Sequence, residues 1–223
     1  MKERLSEQTI ALRAAKEFND GDYINLGYGI PLLCTMFIPE GKEVTFQAEN
    51  GVLGYGLPVL EEEWEKADFD MVDAGERPVK ALPGMSFFDM DTSFDMIRGK
   101  HLDITVLGAL EISERGDLAN WTWGPVAAGG IGGSMDLAVG AKRVIVTMTH
   151  ITKEGKPKIV KECKLPLTAK ECIDLIITDV AVIKVTTSGL LLKEITPGWT
   201  PEEVQAITEP KLAISKDLKE IEL

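Results

Sequence analysis

Val44-Thr45-Phe46-Gln47-Ala48-Glu49-Asn50-Gly51 is the stretch from which the chain can be read. Its first five residues are mostly apolar and partly β-branched, which suits a short buried strand. The strand ends on a carboxylate, Glu49, and runs into Asn50-Gly51-x-x-Gly54-Tyr55-Gly56. Loops at the carboxyl ends of strands are where open α/β sheets place their ligands. Glycine also lets a ligand or another chain approach the backbone closely.

Working outward, similar short runs recur at Tyr23–Leu26, Asp103–Leu107, Arg143–Met148 and Val180–Val185. Helical patterns lie between them. Ile10, Ala11, Ala14, Ala15 and Phe18 share one face of a helix predicted over 5–19, closed by Asp20-Gly21. Two capping boxes predict helix starts, Thr168-x-x-Glu171 ahead of AKECIDLIIT and Thr200-x-x-Glu203 ahead of PEEVQAIT. Val182–Val185 and Leu190–Ile195 flank Thr186-Thr187-Ser188-Gly189 as a hairpin. The pattern predicts an α/β fold with a mixed, largely parallel sheet and flanking helices, and one domain over 1–223 with no linker.

Composition narrows the function. The 223 residues carry a net charge of −12, which argues against a nucleic-acid partner or a polybasic membrane anchor. No stretch approaches the roughly 20 apolar residues of a membrane span, and the start MKERLSEQ has no apolar signal core. Cys34, Cys163 and Cys172 form no C-x-x-C and suit free thiols in a reducing compartment. A cytoplasmic protein is expected. Cys34 is expected to be buried, with Cys163 and Cys172 flanking the helix start near Thr168.

The common catalytic sets are missing. His101 and His150 are the only histidines, without the spacing of a metal site, and structural roles are expected for both. G-x-S-x-G and the phosphate-binding P-loop are absent. Asp89-x-Asp91 fails as a calcium loop, because its sixth and twelfth positions are Phe94 and Lys100. Those acids, like Glu61-Glu62-Glu63, are assigned to solvated helix faces, the first around 86–98. No metal is expected. The tail KDLKEIEL reads as a surface segment.

Three glycine clusters remain: Gly27-Tyr28-Gly29-Ile30-Pro31, the loop after Glu49, and Gly129-Gly130-Ile131-Gly132-Gly133-Ser134. None completes a dinucleotide fingerprint. Taken singly they are tight turns. A carboxylate at a strand end with no His, Cys or Ser dyad nearby in sequence suits carboxylate nucleophilic catalysis. A structural or substrate-orienting glutamate is the competing reading.

The order of motifs resembles the B (beta) subunit of family I, 3-oxoacid-type CoA-transferases. The likeness rests on Asn25-Leu26-Gly27-x-Gly29-Ile30-Pro31, Glu49-Asn50-Gly51-Val52-Leu53-Gly54 and Leu82-Pro83-Gly84-x-Ser86-Phe87-Phe88. It continues through Ser93-Phe94-x-Met96-Ile97-Arg98-Gly99, Gly116-Asp117-Leu118-Ala119-Asn120-Trp121, Gly132-Gly133-x-Met135-Asp136-Leu137, Val144–Thr149 and Leu165-Pro166-Leu167-Thr168.

The resemblance implies that Glu49 is the catalytic nucleophile. It implies no permanently bound cofactor, coenzyme A as substrate, and pairing with an A-type (alpha) subunit, as an A2B2 hetero-oligomer. The expected reaction is ping-pong transfer of CoA between a short-chain acyl-CoA and a 3-oxoacid or short fatty acid, through a glutamyl-CoA thioester. Gly130, Gly132 and Gly133 are expected in the oxyanion and CoA-binding loop, with Asn50, Gly51, Gly27 and Gly29 supporting the motifs. Trp121 and Trp123 either seal the site or belong to the core.

Two positions depart from the family pattern. Ala48 replaces the Ser before the glutamate and removes a hydroxyl donor. Thr122–Gly130 carries no lysine where family members often have two, which bears on acyl specificity. Two rivals remain open: an acyl-CoA hydrolase using the same glutamate, and a non-catalytic binding subunit or a relative of the sugar-phosphate isomerases that share the sheet topology.

Overall fold

A computed structural model describes residues 2–122 and 130–222. In chain order the elements are α1 (Glu7–Ala15), β1 (Tyr23–Leu26), β2 (Thr45–Ala48), β3 (Val52–Leu53), β4 (Ser86–Phe87) and α2 (Met90–Arg98). They continue with β5 (Ile104–Gly108), β6 (Glu111–Ser113), β7 (Leu118–Ala119), α3 (Ser134–Gly140), β8 (Arg143–Met148), β9 (Ile159–Val160) and β10 (Leu175–Thr178). The last are β11 (Ala181–Thr186), β12 (Gly189–Ile195), α4 (Pro201–Ala206) and β13 (Leu212–Glu220). Two 3-10 helices cover Ile30–Met36 and Glu61–Lys66.

The main sheet has ten strands in the order β13-β12-β11-β10-β8-β5-β1-β2-β3-β4. The consecutive run β10-β8-β5-β1-β2 is parallel. Antiparallel pairing begins on either side of it, at β10–β11 and β2–β3. The mixed, largely parallel sheet is therefore present. A second sheet, β7-β6-β9, was not expected; its strands of two or three residues are too short to show an alternation.

Alternation along the strands divides the core between two faces. In β8, Val144, Val146 and Met148 face α2, α3 and α4, while Ile145 faces α1. In β10, Ile176 goes to the first face and Leu175 and Ile177 to the second. Strands covered on both sides need consecutive apolar residues, which is why they read as unbroken runs. Each fully buried Ile or Leu contributes roughly 1.5–3 kcal/mol.

The N-terminal helix is shorter than its pattern. Ser6 caps it by accepting from the Thr9 N–H at 3.2 Å, and it ends at Ala15, with Phe18 buried beyond the last turn. The Thr200–Glu203 capping box is fully formed. The hairpin of β11 and β12 lies where expected, with Thr186 opposite Gly189.

Other expectations need correction. Thr168-x-x-Glu171 opens no helix. The Thr168 hydroxyl donates to Asn120 Oδ1 at 2.6 Å, its N–H donates to the Leu118 carbonyl, and Glu171 takes φ +47°. The residues beyond it enter the sheet as β10, because Leu175–Thr178 is buried on both faces and a helix would expose part of that run. Cys163 and Cys172 consequently flank no helix; their thiols lie 3.8 Å from the carbonyls of Asp117 and Gly116. The predicted helix at 86–98 starts at Met90, capped by Asp89, while Ser86–Phe87 pairs with β3. The acids around it and Glu61 and Glu62 are exposed as expected. The charged tail forms most of the edge strand β13, parallel to β12.

His150 is structural, as expected. Its ring nitrogens meet Thr178 Oγ1 at 2.9 Å and Thr208 Oγ1 at 2.8 Å. Burial lowers its pKa to about 4, with Arg4 and Lys158 adding to the effect against Asp179. The unfolded chain, with a His pKa near 6.5, therefore takes up a proton that the fold refuses. Stability is expected to fall by up to about 1.4 kcal/mol per pH unit as pH drops from 6.5 toward 4. Urea titrations at several pH values check this, since His150→Gln should lack that portion of the slope.

Candidate active site

Glu49 follows the last residue of β2, and the chain reverses at once, with Ala48 opposite Val52 across the β2–β3 hairpin. Gly51 closes the turn at φ +108°, its N–H donating to the Ala48 carbonyl at 3.0 Å. A Cβ there would overlap the Phe88 carbonyl oxygen, so only glycine fits without moving the chain. The amide of Asn50 donates to the Val72 carbonyl at 2.9 Å, pinning the turn from outside. Asn50 and Gly51 thus shape the hairpin.

Behind the turn, a buried polar network holds β2. Asn25 Nδ2 donates to Gln47 Oε1 at 2.7 Å, and Gln47 Nε2 donates to Ser93 Oγ at 2.8 Å. Both Asn25 and Gln47 are fully buried. Gln47→Leu strands these polar partners and is expected to cost about 1–3 kcal/mol, read as a lower chemical-denaturation midpoint with an unchanged slope.

The glycine loop meets Glu49 directly. The Gly133 N–H donates to Glu49 Oε1 at 3.0 Å. Glu49 is half-buried, and Oε2 accepts no hydrogen bond from the described residues. A Cβ on Gly133 would lie 3.0 Å from both Cδ and Oε1 of Glu49 and 3.2 Å from Phe94 Cζ. Gly132 takes φ +53°, and a Cβ there would lie 3.4 Å from Oε1. Glycine is used here because the carboxylate occupies the space of a side chain. Arg98 Nε donates to Asp136 Oδ1 at 2.8 Å, joining α2 to α3.

Beside the loop lies a cavity of about 630 Å³, lined in part by Gly27, Tyr28, Gly108, Asn120, Trp121 and Gly130. It sits at the carboxyl ends of β1, β5 and β8. Gly27 N–H donates to the Val106 carbonyl at 2.9 Å, and a Cβ there would crowd Leu107 at 3.2 Å. Gly29, at φ +89°, starts the first 3-10 helix with open space around it.

The structure thus brings Glu49, Gly132 and Gly133 into contact and places Gly27 and Gly130 on the adjoining cavity. Asn50, Gly51 and Gly29 act on the turns. Trp121 is half-buried on the cavity wall; Trp123 and the lysine-free positions 123–129 lie outside the described residues. Gln47, Thr147 and Asn120 stand in stretches quoted above but have no role assigned by the sequence, and Lys158 stands in none of them. Gln47 had a signal, a polar residue inside an apolar strand.

Among the described residues no group of three or more His, Cys, Asp or Glu could hold a metal ion, and no helix is long and apolar enough to cross a membrane. Burial pushes the thiols of Cys34, Cys163 and Cys172 up to about 12, away from nucleophilic use.

A carboxylate at the carboxyl edge of a parallel sheet, held through one oxygen by a glycine-loop N–H, defines a class of site suited to attack by a side-chain carboxylate. The family model for coenzyme A transferase matches residues 7–206, and the chain belongs to that family. It is 46% identical over 209 residues to the probable coenzyme A transferase subunit beta of Bacillus subtilis, covering 93% of this chain and 94% of that one. It is 47% identical over 216 residues to the mouse mitochondrial succinyl-CoA:3-ketoacid coenzyme A transferase 2B, covering 96% of this chain but only 41% of the mouse protein. A crystal structure of an acyl-CoA transferase from Escherichia coli O157:H7 matches with a TM-score of 0.75 at 21% identity, over 98% of this chain and 43% of that one.

Proposed function

We propose that the chain, a single domain over 1–223, is the nucleophile-bearing subunit of a CoA-transferase. It would work with an A-type partner, in an A2B2 assembly, moving CoA between a short-chain acyl-CoA and a 3-oxoacid or short fatty acid. The contact between Glu49 and the Gly133 N–H carries this reading. The Bacillus relative's designation as subunit beta supports a partner chain. The acidic surface and the catalytic residues invoke neither nucleic acid nor membrane, and coenzyme A enters as substrate.

In the first step Oε2 attacks the thioester carbonyl, and collapse of the adduct expels CoA thiolate and leaves an acyl-glutamyl anhydride. The thiolate then attacks Glu49 Cδ. Negative charge develops on Oε1, where the Gly133 N–H already points. Collapse releases the donor acid as carboxylate and leaves the glutamyl-CoA thioester. The acceptor carboxylate reverses both steps. A donor of this kind typically contributes about 2.7–4 kcal/mol. The thioester is already activated and the carboxylate needs no base, which fits a site without histidine. Gly130 and Gly132 shape the loop, and the partner chain would help exclude water.

An assay with and without acceptor acid tests the reading. Acyl-CoA consumption that requires the acceptor, with no net release of CoA, supports transfer. Consumption without acceptor, with free CoA accumulating, moves the assignment to the hydrolase.

A further inference from the structure

The contact between Glu49 and the Gly133 N–H joins two segments 84 residues apart. The helix α2 touches both. On the Glu49 side, the Phe88 N–H just ahead of α2 donates to the Gly51 carbonyl at 3.0 Å, and Ser93 Oγ on α2 accepts from Gln47 Nε2 at 2.8 Å. On the Gly133 side, α2 packs along α3. Arg98 spans that seam. Its Nε donates to Asp136 at 2.8 Å, and its Cζ lies 5.3 Å from the centre of the Phe94 ring, the same ring that would meet a Cβ on Gly133.

The far end of α3 is packed against α2 with no room to spare. A Cβ on Gly140 would lie 2.3 Å from the Ile97 carbonyl oxygen and 2.8 Å from its carbon. Overlap of that kind forces the backbone to move. Ile97 resists, because it is fully buried and its carbonyl accepts from the Lys100 N–H at 3.1 Å. No positive φ calls for glycine at position 140; the approach of α2 does. The helix between is short and continuous. Its seven residues rise about 10 Å. The Leu137 N–H donates to the Gly133 carbonyl at 2.9 Å, and the Ala141 N–H donates to the Leu137 carbonyl at 3.1 Å. A displacement at Gly140 is therefore carried to Gly133, the N-cap.

We propose that α2 is the spacer that sets the gap between Glu49 and the Gly133 N–H, and that Gly140 is a positioning residue for the transfer reaction, acting through α3 from the end remote from the nucleophile. Arg98 holds the same seam from the surface. A side chain at 140 opens the seam and takes the donor off Oε1. The kinetic part of this inference rests on the transferase reading.

The test uses the assembled enzyme with wild-type chain, Gly140→Ala, Arg98→Met, Arg98→Lys and Val204→Ala. Val204 is buried in the same core but stands on α4, so its truncation lowers stability without touching the seam. Gly140→Ala is expected to lower kcat at least about tenfold, since misplacement by 1 Å costs on the order of 100-fold. KM for acyl-CoA should stay within about twofold, and the CoA adduct on Glu49 should form more slowly by the factor lost in kcat. Arg98→Met should lower kcat about threefold or more with little change in unfolding temperature, because an exposed ion pair adds little stability. Arg98→Lys should recover part of that loss. Val204→Ala should lower the unfolding temperature and keep kcat within about twofold. Amide hydrogen exchange reads the contact without catalysis: Gly140→Ala should speed it in the peptide carrying Gly133 more than in the peptide carrying α4.

A folded Gly140→Ala enzyme with wild-type kcat overturns the proposal, the last turn of α3 having absorbed the methyl. So does a Gly140→Ala loss that lies in KM alone, or a Val204→Ala enzyme that loses as much activity for the same loss of stability. If Gly140→Ala does not assemble, Arg98→Met decides, and wild-type kcat in that variant overturns the spacer. If the wild-type enzyme transfers no CoA, the transferase reading fails and exchange alone decides: faster exchange at the Gly133 peptide upholds the spacer, and unchanged exchange overturns it.

Discussion

Glu49→Ala is expected to lower kcat of the assembled enzyme by about four orders of magnitude or more, the scale on which loss of a covalent nucleophile is felt. The chain should remain folded. Glu49 is half-buried and, among the described residues, accepts one hydrogen bond, from Gly133, so its removal costs about 0.5–1.5 kcal/mol. Initial rates and an unfolding curve on the same preparation separate the two effects. Glu49→Asp makes a finer point. It keeps the charge but withdraws the carboxylate by one methylene from the Gly133 N–H, and misplacement on that scale costs about 100-fold. If the alanine variant retained its rate, or lost it only by unfolding, the glutamate would be no nucleophile.

Gly133→Ala is expected to lower kcat about 100-fold while shifting the unfolding temperature little. The backbone there, at φ −82° and ψ 5°, accepts alanine without strain. The added methyl would instead stand 3.0 Å from Cδ and Oε1 of Glu49. Of the groups it meets, the glutamate side chain is the one that can swing, and its swing takes the carboxylate off the N–H. Phe94, at 3.2 Å, packs on the core and resists movement. A mere turn glycine would tolerate alanine with full activity. Gly132→Ala differs, because φ +53° adds about 1–2 kcal/mol of backbone strain and so lowers stability as well. Comparing the two variants distinguishes steric displacement of the nucleophile from a weakened loop.

The legible parts of the fold were those where one physical cause acts locally. Runs such as Arg143–Met148 read as strands because both of their faces are covered. Thr200 opens a helix because hydroxyl and glutamate complete each other's bonds within four residues. The same local pattern at Thr168 failed, because Leu175–Thr178 gains more as a strand between β8 and β11 than as an exposed helix turn. The small sheet and β13 were missed, as short or charged strands are stabilised by neighbours distant in sequence.

The site divides in the same way. Glu49 could be found from its place at a strand end, and the motif order supplied its expected role. That Gly133, 84 residues away, would touch it is a matter of tertiary packing. Lys158 sits among turn-forming and polar residues and looks like a surface lysine until β6, β7 and β9 fold it against the cavity.

The most direct measurement is the intact mass of this chain, copurified with its A-type partner, after brief exposure to acetoacetyl-CoA or a small panel of acyl-CoAs. The account predicts an increment of CoA less water, mapped by peptide analysis to Glu49, discharged by acceptor acid and missing in Glu49→Ala. An enzyme that turns over acyl-CoA with no such adduct, or with the adduct on another residue, would contradict it.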